Sequence, residues 1–245
     1  MFLIDALRDM ARHARYGMLV ARDPAKYNYH GVTVPMHATP EIHRLRRRLY
    51  KGRHERPEIA ALRALLQPED TVLEIGAGAG IVSVFISQRL KGHGLLTVEA
   101  NPAMLASIQA LLAANGVKAA VVHGAVGLEN GNVEFFVSDN FESSSTMDRG
   151  NARRIKVPML SFAELLASHK PTFVMMDVEG AERELLSVTL PGHVRVVCCE
   201  IHPHVIGDED ATSVIRSMLA QGFNLIIDKS NDRVFAFERS AARQT

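Results

Sequence analysis

The sequence predicts an α/β fold: a mainly parallel sheet with helices on both faces, a C-terminal antiparallel strand pair and an N-terminal helical and hairpin extension. Three observations predict it. Between residues 70 and 238, short apolar runs bounded by turn residues alternate with segments of helical periodicity, the pattern of parallel strands covered on both faces. One run, Thr71–Ile75, opens into Gly76-Ala77-Gly78-Ala79-Gly80 and then the helical Ile81–Leu90. A glycine-rich turn between strand and helix lets a ligand lie against bare backbone, at a helix N-terminus that favours anionic oxygens. The next run, Leu95–Val98, ends on Glu99, nineteen residues after Gly80, where a carboxylate can accept hydrogen bonds from both hydroxyls of a ribose.

The elements follow in order. Residues 1–20 place apolar side chains at helical spacing among arginines, which predicts an amphipathic packing helix or subunit contact rather than a membrane-surface helix. Tyr27–Pro35 predicts a short strand or hairpin arm; Tyr27, Tyr29 and His30 either line a substrate mouth or face solvent. Pro40–Leu49 predicts a helix whose Arg44, Arg46, Arg47 and Arg48 form a solvated face or meet an acidic substrate. Pro57 starts a helix, Glu58–Leu66, closed by Pro68. After Glu99, Asn101-Pro102 starts a helix stopped by Asn115-Gly116. The strand Ala119–Val122 runs into His123-Gly124-Ala125-Val126-Gly127, small residues that admit a flat ligand. Asn132–Val137 and Arg154–Leu160 predict strands around a polar loop, Ser138–Asn151, in which Ser143, Ser144, Ser145 and Thr146 read as a linker or a binding loop. Ser161 predicts the cap of a helix Phe162–Ser168. Thr172–Met176 ends on Asp177-Val178-Glu179-Gly180, with a helix from Ala181, and Val194–Cys199 ends on Glu200-Ile201-His202. A helix over Thr212–Gln221 precedes the closing pair, Phe223–Asp228 and Arg233–Glu238. Residues 1–56 thus read as an extension that offers a substrate contact or a self-association surface, 57–239 as the main domain and 240–245 as a tail.

Composition narrows the partners. Lys and Arg number 28 against 27 Asp and Glu, so no global field draws nucleic acid or an anionic membrane, and neither is expected as a partner. The two cysteines, Cys198 and Cys199, adjoin inside an apolar run and read as reduced core residues. No apolar run is long enough for a membrane span and no signal-peptide pattern opens the chain, so a soluble cytoplasmic protein is expected.

The glycine spacing says which nucleotide is expected. A dinucleotide fingerprint reads G-x-G-x-x-G; here the pattern is G-x-G-x-G, Ile81 stands where the third small residue would, and Glu74 precedes the first glycine by two. Both features resemble motif I of class I S-adenosylmethionine-dependent methyltransferases, which implies their Rossmann-like fold and an acid, Glu74, facing the amino end of the methionine moiety. The cofactor residues so implied are Glu74, Gly76, Ala77, Gly78 and Gly80, then Glu99, Ala100 and Asn101, then Gly124 and Ala125, with Asp177 shared with the acceptor side. A nicotinamide-dependent oxidoreductase and a non-catalytic nucleotide-binding module are the alternatives.

In parallel sheets ligands sit outside the carboxyl ends of the strands, which makes Asp177, Glu179, Glu200 and His202 the catalytic candidates. A hydroxyl acceptor needs a base or a metal to become nucleophilic. His202, with an ordinary pKa near about 6.5, is the natural base unless it is a core histidine. Asp177, Glu179 and Glu200 are instead suited to a divalent cation such as Mg²⁺.

At these residues the chain resembles the FkbM family of methyltransferases, from about Tyr50 to Phe237. The matching pieces are Val72–Ala77, Val98–Pro102, His123–Gly127, Val157–Leu160, Met176-Asp177-Val178-Glu179-Gly180-Ala181-Glu182, and Glu200-Ile201-His202. Two positions depart from the family: its turn reads Gly-Ala-Asn-Ile-Gly, and its acid at the position of Glu99 is followed by proline, here Ala100. The resemblance implies O-methylation of a hydroxyl on a sugar, glycan or polyketide-like metabolite.

Overall fold

A computed structural model describes residues 14–92, 94–138 and 152–240. Most of the amphipathic helix expected at 1–20, the serines of the 138–151 loop and the tail beyond 240 lie outside these residues. Residues 14–22 are helical (α1). A hairpin follows, β1 (Lys26–Tyr29) against β2 (Val32–Pro35), turning at His30-Gly31. Helix α2 (Pro40–Lys51) starts where the Thr39 hydroxyl accepts the Ile42 N–H at 3.2 Å, and it ends at Gly52, φ 66°. Helix α3 (Arg56–Leu65) leads into β3 (Val72–Ile75), the glycine turn and α4 (Ile81–Ser87).

Strand β4 (Leu95–Glu99) is followed by α5 (Pro102–Asn115), capped by the Asn101 side chain on Ala103 N and stopped at Gly116, φ 63°. Next come β5 (Ala120–His123), β6 (Ala125–Gly127), β7 (Gly131–Ser138), β8 (Ala152–Ser161) and α6 (Phe162–His169). The chain then returns through β9 (Phe173–Asp177), α7 (Glu182–Leu185), β10 (Val196–Glu200), α8 (Pro203–Ala220), β11 (Phe223–Leu225) and β12 (Val234–Arg239).

Seven strands form the main sheet in the order β11-β12-β10-β9-β3-β4-β5. The five from β10 to β5 are parallel, while β12 pairs antiparallel with both β10 and β11. The register sets Ile75 beside both Val98 and Met176, and Glu200 beside Asp177, so the acids share one edge. From β3 the chain winds outward through β4 and β5, then returns to β9 on the other side of β3. That reversal is the switch point at which open parallel sheets bind ligands.

Alternate residues face opposite layers. Val72, Phe173, Met175, Val196 and Cys198 meet one core, which holds Ile59, Ile81, Phe85 and Ile108 from α3, α4 and α5. Leu73, Ile75, Val174, Met176, Val197 and Cys199 meet the other, with Phe162, Leu185 and Val214 from α6, α7 and α8. Both cysteines are free, buried and on opposite faces, which explains why neighbours cannot bridge. The extension belongs to the first core: Val32, Val34, Ile42, Leu45 and Leu49 are buried in it. Asn115 fastens the hairpin, accepting the Thr33 N–H and donating to the Thr33 carbonyl, both at 2.8 Å. The boundary expected near residue 56 is therefore no boundary in packing.

Three elements differ from expectation. Helix α8 begins at Pro203 rather than Thr212, because proline suits a first turn, and it kinks at Gly207 (φ 84°, ψ 161°). Beyond Leu225 the chain tightens into a single 3₁₀ turn, Ile227–Lys229, instead of continuing as strand. Strands β6, β8 and β7 form a separate three-stranded sheet whose Ala125, Phe135 and Val157 pack together beside the main sheet's edge. Among the described residues, no helix is long and apolar enough to cross a membrane.

Candidate functional site

At the carboxyl edge of β3, β4, β9 and β10 lies a cavity of about 290 Å³. It brings together Gly76, Gly78, Glu99, Ala100, Gly124, Ala125, Asp177, Glu179 and Glu200, residues spread over more than half the sequence. Five other expected site residues, Glu74, Ala77, Gly80, Asn101 and His202, are not on its wall.

The turn is built by backbone constraints. Gly76 (φ 84°) donates its N–H to the Val98 carbonyl at 2.9 Å, and the Asp177 carbonyl packs directly over its Cα. At Gly78 (φ 53°) an added Cβ would make only an ordinary contact, with Glu55 Oε1 at 3.7 Å. Gly80 (φ 94°) precedes α4 and packs on Ile108, so it serves helix packing and not the cavity.

Glu99 is tied to that turn. One carboxylate oxygen accepts the Gly78 N–H at 2.8 Å and the other accepts the Asn101 N–H at 2.7 Å. Burial raises its pKa to about 7 against these amides, which favour the charged form. Met104, Ala125, Val126 and Phe135 add apolar lining to the same cavity.

Glu74, expected to face the methionine amino group, turns instead toward α4. Its residue is 1 % exposed, Oε2 accepts the Ser83 hydroxyl at 2.6 Å, and Oε1 has no hydrogen-bond partner. The reason is the alternation of β3: with Leu73 and Ile75 on one face, Glu74 must face the other. Burial raises its pKa from 4.5 to about 7. In that interval the folded chain keeps a proton that the unfolded chain releases, so stability falls as pH rises from 4.5 to about 7. Glu74→Gln removes this term, worth on the order of 3 kcal/mol across the interval. Relative to the unchanged chain, the variant is therefore expected to gain stability with pH; parallel stability curves from urea unfolding at pH 5 and pH 8 would contradict this.

The other end of the cavity is acidic. Asp177 and Glu200 stand side by side at the ends of β9 and β10. Behind them His202 is 1 % exposed, with Nε2 at 3.5 Å from Asp177 Oδ1, 3.5 Å from Glu200 Oε1 and 3.6 Å from Glu179 Oε1. The expected base thus sits under the acids instead of on the wall. Burial lowers its pKa, but Glu182, Asp177, Glu179 and Glu200 together outweigh this and raise it. Glu182, fully buried, accepts the His202 backbone N–H and the Gly180 N–H, each at 2.8 Å. Desolvation in the cavity floor, then Glu200, raises Asp177 well above the usual carboxylate range. Arg233 pairs with Glu200 Oε1 at 2.7 Å.

The end of the extension and the start of α3 close the cavity with residues that sequence reasoning missed: His54, Glu55 and above all Glu58. Burial, then Glu55, raises the Glu58 pKa to about 8. One signal was present, since Glu58 precedes Leu62 by one helical turn on the buried stripe of α3. Of the arginine run, Arg48 reaches the cavity wall.

The family described as methyltransferase FkbM domain matches residues 74–225. Among curated proteins, none matches the sequence. Among solved structures, the fold is similar to a methyltransferase FkbM from Methylobacillus flagellatus KT, at 16 % identity over 78 % of this chain and TM-score 0.49. This chain spans 54 % of that one. It is similar also to a precorrin-6y C5,15-methyltransferase from Geobacter metallireducens GS-15, at 14 % identity, 77 % of this chain, 89 % of that one and TM-score 0.47. Aeropyrum pernix fibrillarin, solved with S-adenosyl-L-methionine, matches at 11 % identity over 74 % of this chain and 73 % of its own, TM-score 0.42.

Proposed function

This chain belongs to the methyltransferase FkbM domain family, and from that premise we propose that it is an S-adenosylmethionine-dependent O-methyltransferase acting on a hydroxyl of a sugar, glycan or polyketide-like metabolite. The observation that carries the reading is that one cavity joins the glycine turn and Glu99 to a wall of carboxylates. The residues fit the cofactor. Bare backbone at Gly78 gives room for the methionine moiety, the Glu99 carboxylate on the cavity wall suits ribose hydroxyls, and Met104, Ala125, Val126 and Phe135 suit a flat base. When bound, S-adenosylmethionine supplies an electrophilic methyl group on a sulfonium.

The protein's share is placement, exclusion of water and removal of the acceptor's proton. Carboxylates on the wall, Asp177, Glu200 and Glu58, are the groups within reach of an acceptor, and the raised proton affinity of Asp177 and Glu58 suits that task. His202 stands beneath them, with Nε2 3.5 Å from both Asp177 Oδ1 and Glu200 Oε1, and so can act on an acceptor only through these acids.

S-adenosylhomocysteine is expected to raise the melting temperature of the full chain by about 5 °C or more at a hundredfold excess over Kd, with NAD giving no shift. S-adenosylhomocysteine release from S-adenosylmethionine, followed over a panel of sugar and polyol acceptors, then identifies the acceptor. No shift with S-adenosylhomocysteine would remove the basis of this reading.

A further inference from the structure

We infer that Asp177, Glu200 and His202 form a divalent-cation site at the acceptor end of the cavity, suited to Mn²⁺. Only the role of the ion, to bind the acceptor hydroxyl and lower its pKa, rests on the methyltransferase reading.

Donor geometry comes first. One carboxylate oxygen each of Asp177 and Glu200 and one imidazole nitrogen of His202 lie within 4.8 Å of one another. The two distances from His202 Nε2, both 3.5 Å, are too long for hydrogen bonds. An ion about 2.1–2.2 Å from each donor separates neighbouring donors by about 3.0–3.6 Å. The observed spacing accepts an ion with little side-chain movement.

The support behind the histidine is a second, independent observation. Glu182 Oε1 lies 3.3 Å from His202 Nδ1, and both Glu182 oxygens are already held by backbone amides. That contact lies on the Nδ1 side of the ring, which leaves Nε2 on the side of the acids. Nε2 lies within 3.6 Å of oxygens of Asp177, Glu200 and Glu179, where a cation would relieve the mutual repulsion of the carboxylates. Glu58, 5 % exposed and on the same wall, has an Oε2 without a hydrogen-bond partner, a further buried oxygen aimed at this end. Arg233 steadies Glu200 and offsets one of these charges.

The donor set also chooses the ion. Oxygen donors alone suit Mg²⁺, the ion expected from the acids; an imidazole nitrogen beside two carboxylates shifts preference to a first-row transition metal, and the carboxylate majority favours Mn²⁺. Three protein donors leave positions open for an acceptor hydroxyl, whose proton would pass to a wall carboxylate.

The test uses the full chain, stripped with chelator, dialysed and titrated with Mn²⁺ while the free-ion electron paramagnetic resonance signal is followed. One Mn²⁺ per chain is expected. Asp177→Asn and Glu200→Gln should each weaken binding at least tenfold with circular dichroism unchanged, whereas Asp23→Asn, in an exposed His37/His43 group elsewhere, should leave it as it is. Absence of Mn²⁺ binding by the folded chain, or equal binding in Asp177→Asn and Glu200→Gln, overturns the site. S-adenosylhomocysteine binding without Mn²⁺ binding overturns the cation site alone. Mn²⁺ binding without S-adenosylhomocysteine binding supports the site and overturns the methyltransferase reading.

Discussion

Gly76→Ala is expected to cost the fold about 4 kcal/mol or more, a large share of the stability of a domain this size. The added Cβ would lie 1.9 Å from the Asp177 carbonyl oxygen and 2.9 Å from its carbonyl carbon. Those atoms belong to the backbone of β9, so no rotamer change relieves the overlap; the β3–β9 pairing has to open. Positive φ alone is a smaller matter. Gly116 has φ 63° with nothing within 4 Å of the added methyl group, so Gly116→Ala is expected to cost only about 1–2 kcal/mol. Urea unfolding of the two variants side by side makes the comparison. If Gly76→Ala lost no more stability than Gly116→Ala, the close approach of β9 to the turn would be refuted.

Glu99→Ala is expected to weaken S-adenosylhomocysteine binding about a hundredfold in calorimetry. Two hydrogen bonds from ribose hydroxyls to a carboxylate contribute about 1.5 kcal/mol each, and their sum of about 3 kcal/mol corresponds to that factor. The same carboxylate holds the Gly78 and Asn101 amides at 2.8 and 2.7 Å, so part of the loss comes through a loosened turn. Glu99→Gln keeps one oxygen and is expected to fall between the two. Unchanged affinity in Glu99→Ala would show that the ribose lies elsewhere.

Much of the glycine-turn end of the cavity could be read from the sequence because its causes are local. A glycine at Gly78 needs only its own φ, Asn101-Pro102 caps and starts α5 within four residues, and Glu99 follows directly from the end of its strand. Glu74 was misread for an equally plain reason. Its place in the motif resembles a ligand-facing acid, but strand alternation turns it toward Ser83 and the α4 layer. The acceptor end was less accessible, because burial and facing depend on residues far apart in the chain. Glu182 reaches the His202 backbone from twenty positions away, and Glu58 joins the same wall from more than a hundred residues before Asp177 and Glu200.

The sequence by itself determined the class of fold, the glycine turn, the acids on one strand edge and the family they resemble, since periodicity and turn chemistry act over a few residues. Only the tertiary structure decided that His202 lies beneath the acids, that Glu58 from α3 completes their wall and that β7 contributes Phe135 to the cavity lining. Those placements follow from how strands and helices pair across the whole chain. Burial, which sets both protonation and ligand access at this site, is a property of that pairing and of no single segment.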